Sequence, residues 1–244
     1  GVGTQERSGL TLMRAMRNAC ALPAALIPIL ASLLGVGSIT VPYIVAVARG
    51  DQKWGLHNLP DITHCVLDMP ERGIFYVLFM PGIALQATSW MLAWPASRVA
   101  SVFGVIACCL LVLGEAMLDP HPYWGPHIFG ASGFFLVSMI AVVIRSWGSK
   151  GEDPRSLHLK RCLAVLNVAL VLCDTAFGGV NAPGWADHLM EWCLAWTSLL
   201  FVATFASDLR GACITLSLPG GGAIRAEGLL NEAGDEVRNP TLGV

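Results

Sequence analysis

Ionisable side chains inside or beside apolar runs cost a few kcal/mol each, so every one of them needs a reason. In this sequence Glu71, Glu115, Asp119, His127, Asp174, His188 and Glu191 all fall at or near the ends of apolar runs. Threading those runs back and forth puts them all at one membrane face, the lumenal ends of the spans. His188 and Glu191 are three residues apart, hence neighbours on one helical face. Such a pair can be an internal hydrogen-bond anchor, a functional contact, or an acid and base with split proton affinities. Acids near helix starts also act as caps, which accounts for Glu71, Asp119 and Asp187 without a further role. Capping explains less at Glu191, about one turn inside a run with Leu189, Met190, Trp192 and Cys193. No serine or cysteine elbow accompanies these groups, so a nucleophilic enzyme has little support. His64, His121, His127, His188 and Glu191 lack any ligand spacing, and neither a metal nor another cofactor is expected.

The stretch Leu59 to Phe75 reads LPDITHCVLDMPERGIF, a polar segment between two long apolar runs. Pro60 and Pro70 restrict its ends, and it carries Asp61 and His64. Pro70-Glu71-Arg72 has the proline and the acid of a helix start, so the loop is expected to feed directly into a helix. An ordinary solvated connection would have the same composition.

The composition decides what kind of molecule holds these groups. The 244 residues are 55% hydrophobic and only 13% charged, with a mean hydropathy of +0.62. Apolar runs near bilayer length then make this an integral membrane protein. The net charge is −2, and no Gly-rich phosphate loop joins a strand to a helix. Nucleic-acid binding and NTP hydrolysis are therefore not expected. The eight cysteines show no CxxC spacing and mostly read as small core hydrophobes. Cys65 alone lies in a clearly polar loop, with Cys173 near the same membrane face, and a disulfide between them is weakly supported.

The expected fold class is all-α: a polytopic bundle of six transmembrane helices with both termini on the cytoplasmic-equivalent side. The spans cover about 20–48, 72–94, 96–118, 127–147, 158–180 and 185–207. They lie within a membrane domain of 20–213, between a basic tail at 1–19 and a flexible or partner-docked tail at 214–244. Pro23, Pro28 and Pro42 kink or delay the first span, and Trp94-Pro95 allows only a tight turn between the second and third. Six spans leave Arg49, Lys53 and Arg72 on one side and the other 12 of the 15 Lys and Arg on the opposite side. The basic side faces the cytoplasm, which turns the Leu59–Phe75 loop to the lumen or exterior. Asp208 and Arg210 read as interfacial anchors, and Trp54, Tyr123, Trp124 and Trp185 as a lumenal aromatic belt.

Three groups of residues carry a family resemblance. The first is Pro42-Tyr43, then Leu59-Pro-Asp-Ile-Thr63 and Pro70-Glu-Arg-Gly-Ile-Phe75. The second is His127-Ile-Phe-Gly-Ala131. The third is Trp185, His188, Glu191-Trp192, Phe201, Phe205 and Asp208. In order and spacing the chain resembles the Frag1/DRAM/Sfk1 group of six-span proteins over about 27–216. It departs from the group at Asp61, near which those proteins tend to have a tyrosine, and at His64, where they tend to have an acid. The resemblance makes Pro42, Tyr43, Pro60, Pro70, Gly130, Trp192 and Asp208 motif positions of structural weight. It implies a lipid-related or organelle-membrane role, in GPI-lipid remodelling, phosphoinositide or lipid-asymmetry control, or autophagy, without an established catalytic apparatus.

The expected function is therefore non-catalytic, with membrane lipids as partners. The lumenal face, including Asp61, His64, Glu71, His127, Asp174, His188 and Glu191, is expected to engage a lipid head group or a protein. An accessory subunit of a larger membrane assembly is the alternative. Acyl transfer or hydrolysis by Glu191 and His188 is a further one.

Overall fold

The computed structural model describes residues 21–117, 124–148, 152–177 and 184–215. The basic tail at 1–19, the tail from 216 onward, and Asp119, His121 and Tyr123 lie outside the described residues. The chain divides into two units. In the first, β1 (Ala21–Pro23) pairs antiparallel with β2 (Cys213–Thr215), Leu22 opposite Ile214. Ile214 and Thr215, expected in the tail, thus belong to a strand.

The second unit, Ile27–Asp208, holds the helical bundle. Helix α1 is Leu26–Arg49, α2 Glu71–Leu92, α3 Arg98–Ala116, α4 Trp124–Gly148, α5 Pro154–Phe177 and α6 Gly184–Ala203. A single turn, α7 (Phe205–Asp208), follows. Helix α1 starts at Leu26, later than the expected 20, because Pro23 lies in a strand. Pro28 is tolerated in its first turn, where an N–H would lack an intrahelical partner. Gly50, with φ of +85°, stops the helix in the left-handed conformation that glycine adopts without strain. Pro95 ends α2 early, and Ser97 is extended before α3 begins. Pro154 opens α5, and the Asp153 carboxylate accepts the Arg155 N–H at 3.3 Å.

The shortest of the six long helices has 19 residues, about 28 Å at 1.5 Å per residue, and all six are apolar enough to cross a bilayer. The protein is an integral, multi-pass membrane protein. Leu33, Val77 and Leu172 project outward, as lipid-facing side chains do. Inside, Trp90 sits edge-on to Phe205 with centroids 4.9 Å apart and stacks on Phe201. Helices α3 and α4 meet backbone to backbone, since a Cβ on Gly130 would lie 2.5 Å from Gly114 Cα and 2.7 Å from Leu110 O. That contact fixes where α4 starts relative to the end of α3.

The connections alternate between two ends. The α1–α2 loop, the end of α3, the start of α4, the end of α5 and the start of α6 share one, the loop end. At the other end Asp208 is not a solvated anchor. It accepts hydrogen bonds from Lys160 Nζ at 2.6 Å and Arg145 Nη2 at 2.8 Å, and both cations also pair with Glu152. Arg145 and Lys160 are fully buried. Four alternating charges from α4, α5, α7 and the α4–α5 connection thus satisfy one another, as buried charges must. Cys65 and Cys173 are free thiols, and the weakly supported disulfide between them is not formed.

Candidate functional site

The 50–70 loop is held by one helical face. From α6, His188 Nδ1 donates to Leu59 O at 2.7 Å and Trp192 Nε1 donates to Pro60 O at 3.0 Å. Glu191 Oε2 accepts the Ile62 N–H at 3.1 Å. Positions i, i+3 and i+4 thereby satisfy three polar groups within four residues of a backbone that has no secondary structure to satisfy them. Tyr43 of α1 supports the same loop. Its hydroxyl donates to Lys53 O at 3.3 Å, and its ring stacks on Trp54 and meets the edge of Trp192.

The loop also reaches α4. His127 Nδ1 lies 3.1 Å from Gly114 O, and since a carbonyl only accepts, Nδ1 carries the proton. In the neutral ring Nε2 then accepts from the Thr63 hydroxyl at 3.1 Å. The contact ties the loop to α4 and is within the reach a base needs to activate a hydroxyl.

Beneath and beside this anchored loop lie two adjoining cavities. One runs into the bundle with an open volume of about 80 Å³ and is walled by Ile39, Phe75, Phe79, Ile83, Leu111 and Phe134. Gln86, Glu115 and Glu191 also line it. The other, about 400 Å³, is a polar vestibule at the loop end lined by Asp61, Asp174, Asp187, His188 and Glu191. Thr63, His127, Ala131, Phe135 and Glu191 line both, so apolar slot and polar vestibule meet at the loop anchor.

A family model described as the Frag1/DRAM/Sfk1/Cwh43P N-terminal domain matches residues 23–212. The chain belongs to that family. Comparison with curated proteins and with solved structures gives no match. Within the matched region, Pro60, Trp192 and Tyr43 form the loop anchor, Gly130 the α3–α4 contact, and Asp208 belongs to the buried charge cluster.

Of the side chains expected at this site, Asp61, His127, Asp174, His188 and Glu191 come together around the vestibule. His64 and Glu71 do not line either cavity. His64 pairs with Asp61 at 2.7 Å, and the Glu71 carboxylate is held at 3.1 Å by Arg49, whose guanidinium also donates to Met69 O. Glu71 therefore closes the loop onto α2. His188 and Glu191 do not pair with each other, because each binds a different backbone group of the loop. The residue reading missed Thr63 and Gln86. Gln86 carried a signal, being the one amide within the apolar helix α2. Among the described residues no group of three or more His, Cys, Asp or Glu is placed to hold a metal ion. Cys65, buried under the loop, has its thiol pushed up to about 12, first by burial and then by the carboxylates of Asp61 and Glu191.

Proposed function

We propose that this Frag1-family protein is a non-catalytic lipid-handling protein. On this reading an apolar chain lies in the slot among α1, α2, α3 and α4, and the head group lies in the vestibule on the lumenal or exterior side. The observation that carries it is the junction of the two cavities at Thr63, His127 and Glu191. An amphiphile needs an apolar path that ends at a polar chamber, and pockets of that kind are the default sites for small ligands. Glu191 and His188 each hold a loop backbone group, which favours a binding wall over an acid/base pair.

The bias of basic residues supports the sidedness, since only Arg49, Lys53 and Arg72 lie with the loop. The test is native mass spectrometry of the chain in mild detergent, compared with Ala131→Phe. That substitution adds a ring where slot and vestibule meet. A defined lipid should stay bound to the wild-type chain and be lost from a folded Ala131→Phe variant. The same lipids on both proteins would defeat this reading.

A further inference from the structure

Among the described residues, two polar side chains of the slot have no protein partner. The Glu115 residue is only 8% exposed and Gln86 only 5%, and neither side chain makes a hydrogen bond or ion pair. Nearly all the other buried polar groups around them are satisfied. Ser38 donates to Gly35 O, Thr63 pairs with His127, and the Tyr76 hydroxyl donates to the backbone carbonyl of Glu115, leaving its carboxyl group untouched. A carboxyl group buried alone among Leu111, Phe134 and other apolar walls is expensive unless something else approaches it.

The charge lining the two cavities has one sign. Glu115 and Glu191 line the slot, Asp61, Asp174, Asp187 and Glu191 line the vestibule, and among the described residues no Lys or Arg lines either. His127 and His188, the basic groups present, already direct Nδ1 to the carbonyls of Gly114 and Leu59. A phosphate or phosphoinositide head would meet carboxylates with no cation to receive it, whereas a cationic head would find them preplaced.

The slot has the shape of a chain. Phe75, Phe79, Ile83 and Gln86 succeed one another on one face of α2, which is about 16 Å of helix from first to last at 1.5 Å per residue. We infer that the ligand is a chain-bearing lipid whose polar end is a protonated amine, its ammonium held by Glu115 and Glu191 and its chain running along α2 toward Gln86. This rests on the lipid-binding reading above and adds the head-group chemistry. The ammonium supplies the donors that the Glu115 carboxyl lacks, and it shares the Glu191 carboxylate with the Ile62 N–H.

The full chain in mild detergent is irradiated with probes that carry a diazirine in the alkyl chain: octadecylamine, octadecanol and a diacyl phosphatidylethanolamine. Peptides spanning Phe75–Gln86 and Leu111–Glu115 are read for labelling. An amine probe is expected to label them at least about tenfold more efficiently than the alcohol, since losing a buried charged pair is worth that much or more. Glu115→Gln is the cleaner variant, because its carboxyl has no protein partner to lose. It should bring amine labelling down to the alcohol's level while leaving alcohol labelling unchanged. Glu191→Gln should also lower amine labelling. Preference for octadecylamine assigns the ligand to single-chain amines, and preference for the diacyl probe assigns it to aminophospholipids; both support an amine head. Equal labelling by alcohol and amines, or amine labelling indifferent to Glu115→Gln, overturns the amine and leaves lipid binding standing. Absence of cavity labelling by any probe overturns both readings.

Discussion

Asp208 shows how much a single residue's surroundings decide. In sequence it is an acid at the end of the last span, and interfacial anchoring is the ordinary expectation for it. In the fold it is the counterion of Lys160 and Arg145, two cations that are wholly buried and share Glu152 as their other acid. Arg145 also lies over the Phe205 ring at 5.6 Å. Replacing Asp208 with Asn leaves two buried cations facing one carboxylate. The expected loss is about 3–5 kcal/mol, the usual cost of breaking a buried pair from one side. Thermal unfolding followed by size-exclusion recovery checks it. Lys160→Met combined with Asp208→Asn restores the charge balance and should recover part of the loss. If Asp208→Asn alone unfolds like the wild type, the cluster is solvated in the membrane-embedded protein.

The element that matters most is the loop between α1 and α2, because its shape is imposed from outside. Its 3-10 turns at Leu56–Asn58 and His64–Val66 are too short to be stable alone, and its backbone polar groups find partners on α6. Cys65 reports on that anchoring. With its thiol held near a pKa of about 12, the folded protein keeps Cys65 un-ionised at pH 8, and maleimide labelling there should be slow. Glu191→Ala removes the acceptor of the Ile62 N–H and one of the carboxylates that raise the thiol. Peptide-resolved labelling at Cys65 should then rise about tenfold or more as the group returns toward an ordinary pKa near 8.5. The rate should also begin to climb with pH from about 7.5, the sign expected when a raised acid pKa relaxes downward. Equal rates in both proteins would mean that the loop stays shut without Glu191. The spacing of His188 and Glu191 announced a shared face, but the partner of that face lies some 129 residues away in sequence. No local periodicity encodes such a pairing.

At the scale of the whole molecule, six apolar helices and the distribution of 15 basic residues argue for one orientation. Trp54, 70% exposed on the loop, should lie on the lumenal or exterior side, and Arg155, exposed at the start of α5, on the cytoplasmic side. In sealed vesicles of known orientation, made in a background without reactive cysteines, an impermeant maleimide should reach Trp54→Cys and Arg155→Cys from opposite faces. Labelling of both from one face would overturn the six-span orientation. The same threading gathers the acids at the loop end. Asp61, Asp174, Asp187 and Glu191 come from a loop and from the ends of two helices, yet line one chamber.

Hydropathy and length determined the membrane class and the number of spans, because burial in a bilayer demands long apolar helices whatever their partners. Prolines and glycines marked several helix ends for an equally local reason, as Pro95 and Gly50 show. Membership of the Frag1 family could also be read from the order and spacing of residues such as Tyr43, Glu191-Trp192 and Asp208. Tertiary structure alone decided their work. It turned Glu71 and Arg49 into a loop clasp, made Asp208 a buried counterion, and gave His188, Glu191 and Trp192 three backbone groups of the loop to hold. It also left Glu115 and Gln86 facing an open slot without partners among the described residues. A side chain's type and its place along a helix fix what it can offer. What it meets depends on contacts between residues far apart in the chain, and only the packed bundle supplies those.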